Sequence, residues 1–253
     1  MYAIITGASS GIGREMAILL AQKNYSLILV ARRKDRLEQL KEQLQKQYAI
    51  EVKIAVYDLS NRQSCLDFCQ KYRNYPVEIL INNAGFGKIG YVTDTPLEEQ
   101  LSIIDTNIIA VHILSREFAK RMRKGYILNV ASIAAFQPSP FLSTYGATKS
   151  YVAKFSMALG YEFKKQRKHI SVTTLCPGPV STEFDLVAGT DFSLSAITAK
   201  ECAIEGLNGM FKKKRLVLPK TAKLAYIGVK FLPLNIVIPI VHKIQKGKTK
   251  KKL

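Results

Sequence analysis

The chain has 253 residues, 47% of them apolar and 23% charged, which fits one large globular domain and excludes a disordered or fibrous polypeptide. Its formal net charge is +19, but thirteen Lys and Arg and no Asp or Glu lie between Lys212 and Leu253. The excess therefore belongs to the C-terminal end, and the body of the protein is only mildly basic.

In chain order, "YAIIT" (2–6) predicts a buried strand, followed by a helix from Ile12 to Lys23. "SLILVA" (26–31) predicts strand two, and a helix follows through Tyr48. "EVKIAVYDL" (51–59) and "VEILINN" (77–83) predict strands three and four. A long helix is expected from Pro96 to Arg123, then strand five in "GYILNVAS" (125–132). A helix from Thr144 to Arg167 leads into "ISVTTLCPG" (170–178), and "RLVLP" (215–219) supplies a short closing strand. The apolar runs are continuous rather than alternating, so the strands are covered on both faces. Strand–helix alternation of this kind implies right-handed crossovers and a parallel sheet. The expectation is a single α/β domain, a doubly wound (Rossmann-type) parallel sheet of about seven strands over 1–220, with a basic extension over 221–253.

Cys65, Cys69, Cys176 and Cys202 do not make a disulfide framework in a domain of this size and read as buried thiols. His112, His169 and His242 are isolated, so no metal-ligand spacing is present. No basic segment followed by an apolar run precedes "YAIITG", which points to the reducing cytoplasm.

"TGASSGIG" (6–13) joins the first strand to the first helix. Gly7 permits a tight turn, Gly11 lets backbone approach a pyrophosphate, and Gly13 allows close helix–sheet packing, with the helix N-terminus facing the phosphates. The same letters match G-x-S-x-G, the nucleophile elbow of hydrolases. That elbow follows several earlier strands and needs a partner histidine, and neither condition is met here.

"TYGATKSY" (144–151) places Tyr145 and Lys149 at i and i+4, on one helix face. With the glycine turn, these residues resemble the short-chain dehydrogenase/reductase family over residues 1–220. T-G-x-x-x-G-x-G is matched by Thr6, Gly7, Gly11 and Gly13, and N-N-A-G by Asn82, Asn83, Ala84 and Gly85. Y-x-x-x-K is Tyr145 and Lys149, and P-G after strand six is Pro177 and Gly178, with Thr182 in the threonine place. The resemblance implies Asn107, Ser132, Tyr145 and Lys149 as catalytic residues. It implies cofactor contacts from Gly7, Ser9, Ser10, Gly11, Ile12, Gly13, Asn83, Ala84, Gly85, Tyr145, Lys149, Pro177, Gly178 and Thr182, and from Asp58 at the adenine. Tyr145 would protonate the carbonyl oxygen as hydride reaches the carbon, Ser132 would hold that oxygen, and Lys149 would bind the nicotinamide ribose. Asn107 would anchor a water chain to Lys149. A free tyrosine has a pKa of about 10, and a nearby ammonium is expected to lower it. The family also implies a homodimer or homotetramer.

An NAD enzyme of this fold carries an acid after strand two, but "ILVARRKD" offers Arg32 and Arg33 there. Guanidinium forks bind a 2′-phosphate, so NADP(H) is the expected cofactor. Phe184, Leu186, Val187, Phe192 and Leu194 suggest an apolar roof over the substrate, hence an apolar ketone or aldehyde. A 3-oxoacyl thioester reductase and a cofactor-binding regulator without catalysis are the alternatives, the second weakened because Tyr145 and Lys149 are both present. "FLPLNIVIPIV" (231–241) is too short to span a bilayer and contains Pro233 and Pro239. It reads either as an element docked on the domain or a partner subunit, or as a peripheral contact with anionic membrane. No nucleic-acid partner is expected, because no stacking platform interleaves the lysines.

Overall fold

A computed structural model describes residues 1–189 and 196–247. Strand β1 (Tyr2–Thr6) leads to helix α1 (Gly11–Ala21), β2 (Ser26–Ala31) to α2 (Lys34–Gln47), and β3 (Val52–Val56) to α3 (Arg62–Lys71). After β4 (Val77–Asn82) the central helix has two α-helical parts, α4 (Leu97–Ile104) and α5 (Ala110–Arg121), joined by a π-helical turn over Asp105–Ile109. Next come β5 (Lys124–Val130), a 3-10 turn at Ile133–Phe136, the long α6 (Ser143–Lys165) and β6 (His169–Leu175). The remainder is β7 (Val180–Ser181), α7 (Phe184–Ala188), β8 (Ile197–Thr198), α8 (Ala199–Phe211), β9 (Leu216–Val217), α9 (Lys220–Phe231) and α10 (Leu234–Lys246).

Seven strands form one sheet in the order β3-β2-β1-β4-β5-β6-β9, all pairs parallel. The first three strands run outward in one direction from β1, and the chain then returns to place β4 on its other side. The switch point of the topology thus lies between β1 and β4. In such sheets the crevice beyond the carboxyl ends at this point receives the ligand. Both covered faces are visible along β1. Ala3 and Ile5 join one core with Met16 and Leu20 of α1 and Leu207 of α8. Ile4, between them, joins the opposite core with Phe68 of α3, Phe118 of α5 and Phe163 of α6. Burying each such large side chain contributes ~1.5–3 kcal/mol, so continuous apolar strands are favoured over alternating ones.

Two expectations change. The central helix is not uniform, because the π turn inserts one wide turn at Asn107. The C-terminal segment is two helices. Pro233 stands at the N-cap of α10, where its missing N–H costs nothing, but Pro239 lies inside that helix. Pro239 is tolerated because it and Asn235, whose carbonyl loses a partner, face water. Both helices pack back on the domain: Tyr226 lies edge-on to Phe136 at 4.7 Å between ring centroids, and His242 stacks on Phe141 at 5.1 Å.

Candidate active site

The loops after β1, β4, β5 and β6 meet at the carboxyl edge of the sheet around a cavity of about 720 Å³, the size of a small-molecule site. Every site residue expected from sequence lines it except Gly13 and Asn107. Gly13 lies beneath the turn: a Cβ there would collide with the Gly7 carbonyl and the Asn83 side chain. Gly7 has φ +66°, and its own Cβ position is taken by Asn83 and Ala84. The turn is tied to the β4 loop from both sides. Thr6 Oγ1 accepts the Asn83 and Ala84 backbone N–H groups at 2.9 and 3.0 Å, and Asn83 Nδ2 donates to the Thr6 carbonyl at 3.0 Å. Asn82, by contrast, points into the protein, donating to Ser115 and Asn129, and so serves the core rather than the cavity.

Ser132 follows β5, and Tyr145 and Lys149 stand on the first turns of α6. A hydrogen bond with Ser132 acts on the Tyr145 phenol, but burial outweighs it and pushes the phenol up to about 12. Lys149 is buried and donates through Nζ to the Val130 carbonyl at 2.9 Å. Its Nζ lies 5.6 Å from the centre of the Tyr145 ring. Burial lowers its ammonium from 10.5 to about 8. The expected lowering of the tyrosine by the lysine is therefore absent in this state: the ammonium turns to a carbonyl, and desolvation governs both groups. Asn107, wholly buried in the π turn, donates to the Phe86 carbonyl at 2.9 Å and Thr148 Oγ1 at 3.0 Å, and its Oδ1 accepts the Phe86 N–H at 3.1 Å. It clamps the loop after β4. Gly85 sits between it and Lys149, because a Cβ there would approach Asn107 Oδ1 to 2.8 Å and Lys149 Nζ to 3.2 Å.

Arg33 and Arg32 diverge at the end of β2. Arg33 donates to Ser9 Oγ at 2.9 Å and Ser10 Oγ at 2.9 Å, and to Glu183 at 2.8 Å. Arg32 is mostly exposed, 3.9 Å from Asp58, which also accepts two hydrogen bonds from Ser60. Pro177 and Gly178 follow β6, and the Thr182 methyl lies against Gly11.

A family model described as short chain dehydrogenase matches residues 1–191. The chain belongs to the short-chain dehydrogenase family. Among its relatives, a very-long-chain 3-oxoacyl-CoA reductase of Anas platyrhynchos is 30% identical over 255 residues, covering 97% of this chain and 80% of that protein. A short-chain dehydrogenase from Sphingobium yanoikuyae, solved in complex with NADPH, superposes with a TM-score of 0.84 at 27% identity, covering 100% of this chain and 98% of that one. The bulky-bulky ketone specific alcohol dehydrogenase from Comamonas testosteroni gives 0.78 at 26% identity, over 97% of this chain and 92% of that one. This dehydrogenase is thus an oxidoreductase of a family with a member solved in complex with NADPH.

Several residues of this dehydrogenase's site were not legible in the sequence. Glu183, at the head of α7, bridges Arg33 and Arg36, and hydrogen bonds from Arg36 and Arg33 hold its carboxyl down to about 2. Val241 and Ile244 of α10 line the cavity, although they lie in the segment read as an extension. Of the expected roof, Phe184 lies 5.3 Å from the Tyr145 ring and Val187 lines the cavity. The Leu186 side chain, Phe192 and Leu194 lie outside the described residues. Gly87 supports Tyr145 directly: a Cβ there would sit 2.9 Å from the tyrosine ring and 3.3 Å from Phe184. Gly87→Ala is expected to displace the phenol and reduce turnover by at least ~10-fold, since an ångström of misplacement can cost ~10²-fold. Cofactor affinity, measured by nicotinamide fluorescence, should stay native.

Proposed function

We propose that the protein is an NADPH-dependent carbonyl reductase acting on apolar ketones, aldehydes or 3-oxoacyl thioesters. The observation that carries the reading is the convergence of Ser132, Tyr145 and Lys149 on one cavity that Gly7 and Gly11 of the glycine turn also line. When bound, the nicotinamide supplies the hydride. Tyr145, neutral because burial raises it to about 12, is the general acid that protonates the carbonyl oxygen. Ser132 holds that oxygen by a hydrogen bond. Lys149 binds the nicotinamide ribose and passes a proton toward Tyr145. Asn107 fixes the Phe86 loop against Lys149 and so positions both.

The choice of NADP(H) is supported by the Arg33, Ser9 and Ser10 cluster, three charged or polar side chains around a place where no acid from β2 intrudes. Arg33 and Arg36 already hold one anion, the Glu183 carboxylate, and the same fork suits a phosphate. A charge-assisted hydrogen bond contributes ~1.5–3 kcal/mol. NADPH is therefore expected to exceed NADH by at least ~10-fold in kcat/KM, and Arg33→Ala to erase the difference. Glu183→Gln removes the competing carboxylate and should tighten NADPH. Equal use of both cofactors by the native protein would remove Arg33 from this role.

The 3-oxoacyl reading is favoured by the name of the duck relative and by Phe184, Val187, Val241 and Ile244 around the cavity. A screen of 3-oxoacyl-CoA thioesters against free apolar ketones with NADPH, followed at the nicotinamide absorbance, separates the two. No oxidation of NADPH by either class would overturn the proposal.

A further inference from the structure

The C-terminal helices carry more apolar surface than the domain covers. Along α10, Val237, Val241 and Gln245 form a buried row at i, i+4 and i+8. The adjacent row of Ile236, Ile240 and Ile244 is about half exposed, at 45, 48 and 50%. Leu234 and Ile238, flanking the buried row on its other side, are exposed as well. At ~100° per residue these positions span an apolar face of roughly 200°, about twice the stripe a helix needs to pack on a core. Leu224, Ile227 and Phe231 of α9 share one face at i, i+3 and i+7, with exposures of 82, 52 and 74%. Lys220, Lys223 and Lys230 lie on or beside that face and are exposed.

The charged side chains of α9 and α10 are all of one sign. No Asp or Glu follows Glu205, and Lys248, Lys250, Lys251 and Lys252 extend the positive run to the end of the chain. A second copy of the chain would bring like charge against like charge. Water would face bare leucine, isoleucine and phenylalanine. An anionic lipid surface satisfies both features, with apolar side chains in the acyl boundary and lysines at the headgroups. Among the described residues no helix is long and apolar enough to cross a membrane, so the contact is shallow.

We propose that α9 and α10 form an attachment surface that seats the protein on anionic membrane. The inference does not depend on the reaction catalysed. Val241 and Ile244 also line the cavity, so the attached face adjoins the site and an apolar substrate dissolved in the bilayer lies next to its mouth.

The chain has no tryptophan, so Phe231→Trp gives a single tryptophan reporter on the proposed face of the 253-residue chain. With vesicles containing phosphatidylglycerol at low salt, its emission should shift to the blue and be quenched by brominated acyl chains. Each lysine near such a surface raises binding about fivefold. Cosedimentation should therefore fall steeply with salt and vanish with phosphatidylcholine alone. Leu224→Asp with Phe231→Asp should leave the protein in the supernatant with an unchanged melting temperature. Lys220→Glu with Lys223→Glu, which leaves the apolar residues in place, should weaken binding at least ~10-fold. Unshifted emission and no cosedimentation with anionic vesicles at low salt would overturn the proposal. So would an emission shift that follows protein concentration without lipid, which would give the face to a second copy.

Discussion

Tyr145→Phe is expected to reduce the best carbonyl substrate at least ~10²-fold more slowly than the native protein, the low end of what a general acid contributes, while binding NADPH with native affinity. The substitution removes one oxygen and keeps the ring that packs on Gly87 and Phe184. A loss of turnover then reports the proton and not the packing. The direction of the pH dependence follows from the two ionisations. Tyr145 stays protonated to about 12, so the proton donor is present throughout the measurable range. Lys149 is an ammonium only below about 8. The kcat/KM for reduction should be flat at neutral pH and fall above about 8 as that charge is lost. Alcohol oxidation needs the phenolate and should instead rise toward alkaline pH. Steady-state rates in both directions, for native protein and variant, check this. A variant that reduces substrate at near-native rate would remove Tyr145 as the acid.

How far the sequence carries can be seen at particular positions. The strands were legible because a residue such as Ile4 must satisfy one core while Ala3 and Ile5 satisfy the other, and only continuous apolar runs do that. The glycine turn was legible because its conformational demands leave few alternatives: Gly7 has a positive φ, and Gly13 has no room for a Cβ. What the sequence hid depends on direction and on distant contacts. Arg32 and Arg33 are consecutive, and only the orientation of the chain leaving β2 turns Arg33 to Ser9 and Ser10 and Arg32 toward Asp58. Glu183 reaches Arg33 across 150 positions. Val241 enters the cavity because α10 folds back through His242 on Phe141. The i, i+4 spacing put Lys149 near Tyr145 but did not fix where its Nζ would point. The Val130 carbonyl, from the end of β5, captured it.

That captured ammonium makes Lys149→Met the most informative single change. It should abolish most of the activity, by at least ~10²-fold, and weaken NADPH binding, since the proposed roles of Lys149 join ribose binding to proton relay. It should also stabilise the cofactor-free protein. Burial lowers the ammonium from 10.5 to about 8, which corresponds to roughly 3 kcal/mol of disfavoured charge at neutral pH. Methionine fills a similar volume without that charge and gives up one hydrogen bond from a charged donor, a loss of ~1.5–3 kcal/mol. The balance is a gain of up to about 1.5 kcal/mol, or a rise of up to a few degrees in Tm for a chain of this length. The sign has a second consequence. Between pH 8 and 10.5 the unfolded chain holds a proton on this lysine that the native state has released, so native stability rises with pH through that window. The methionine variant lacks that contribution, and its advantage should shrink as pH rises from 8 toward 10. Thermal unfolding of both proteins without cofactor, at neutral pH and near pH 10, measures this. A Tm for Lys149→Met well below native at neutral pH would mean that the buried ammonium holds the fold together, and that its desolvation is offset by contacts stronger than the one to Val130.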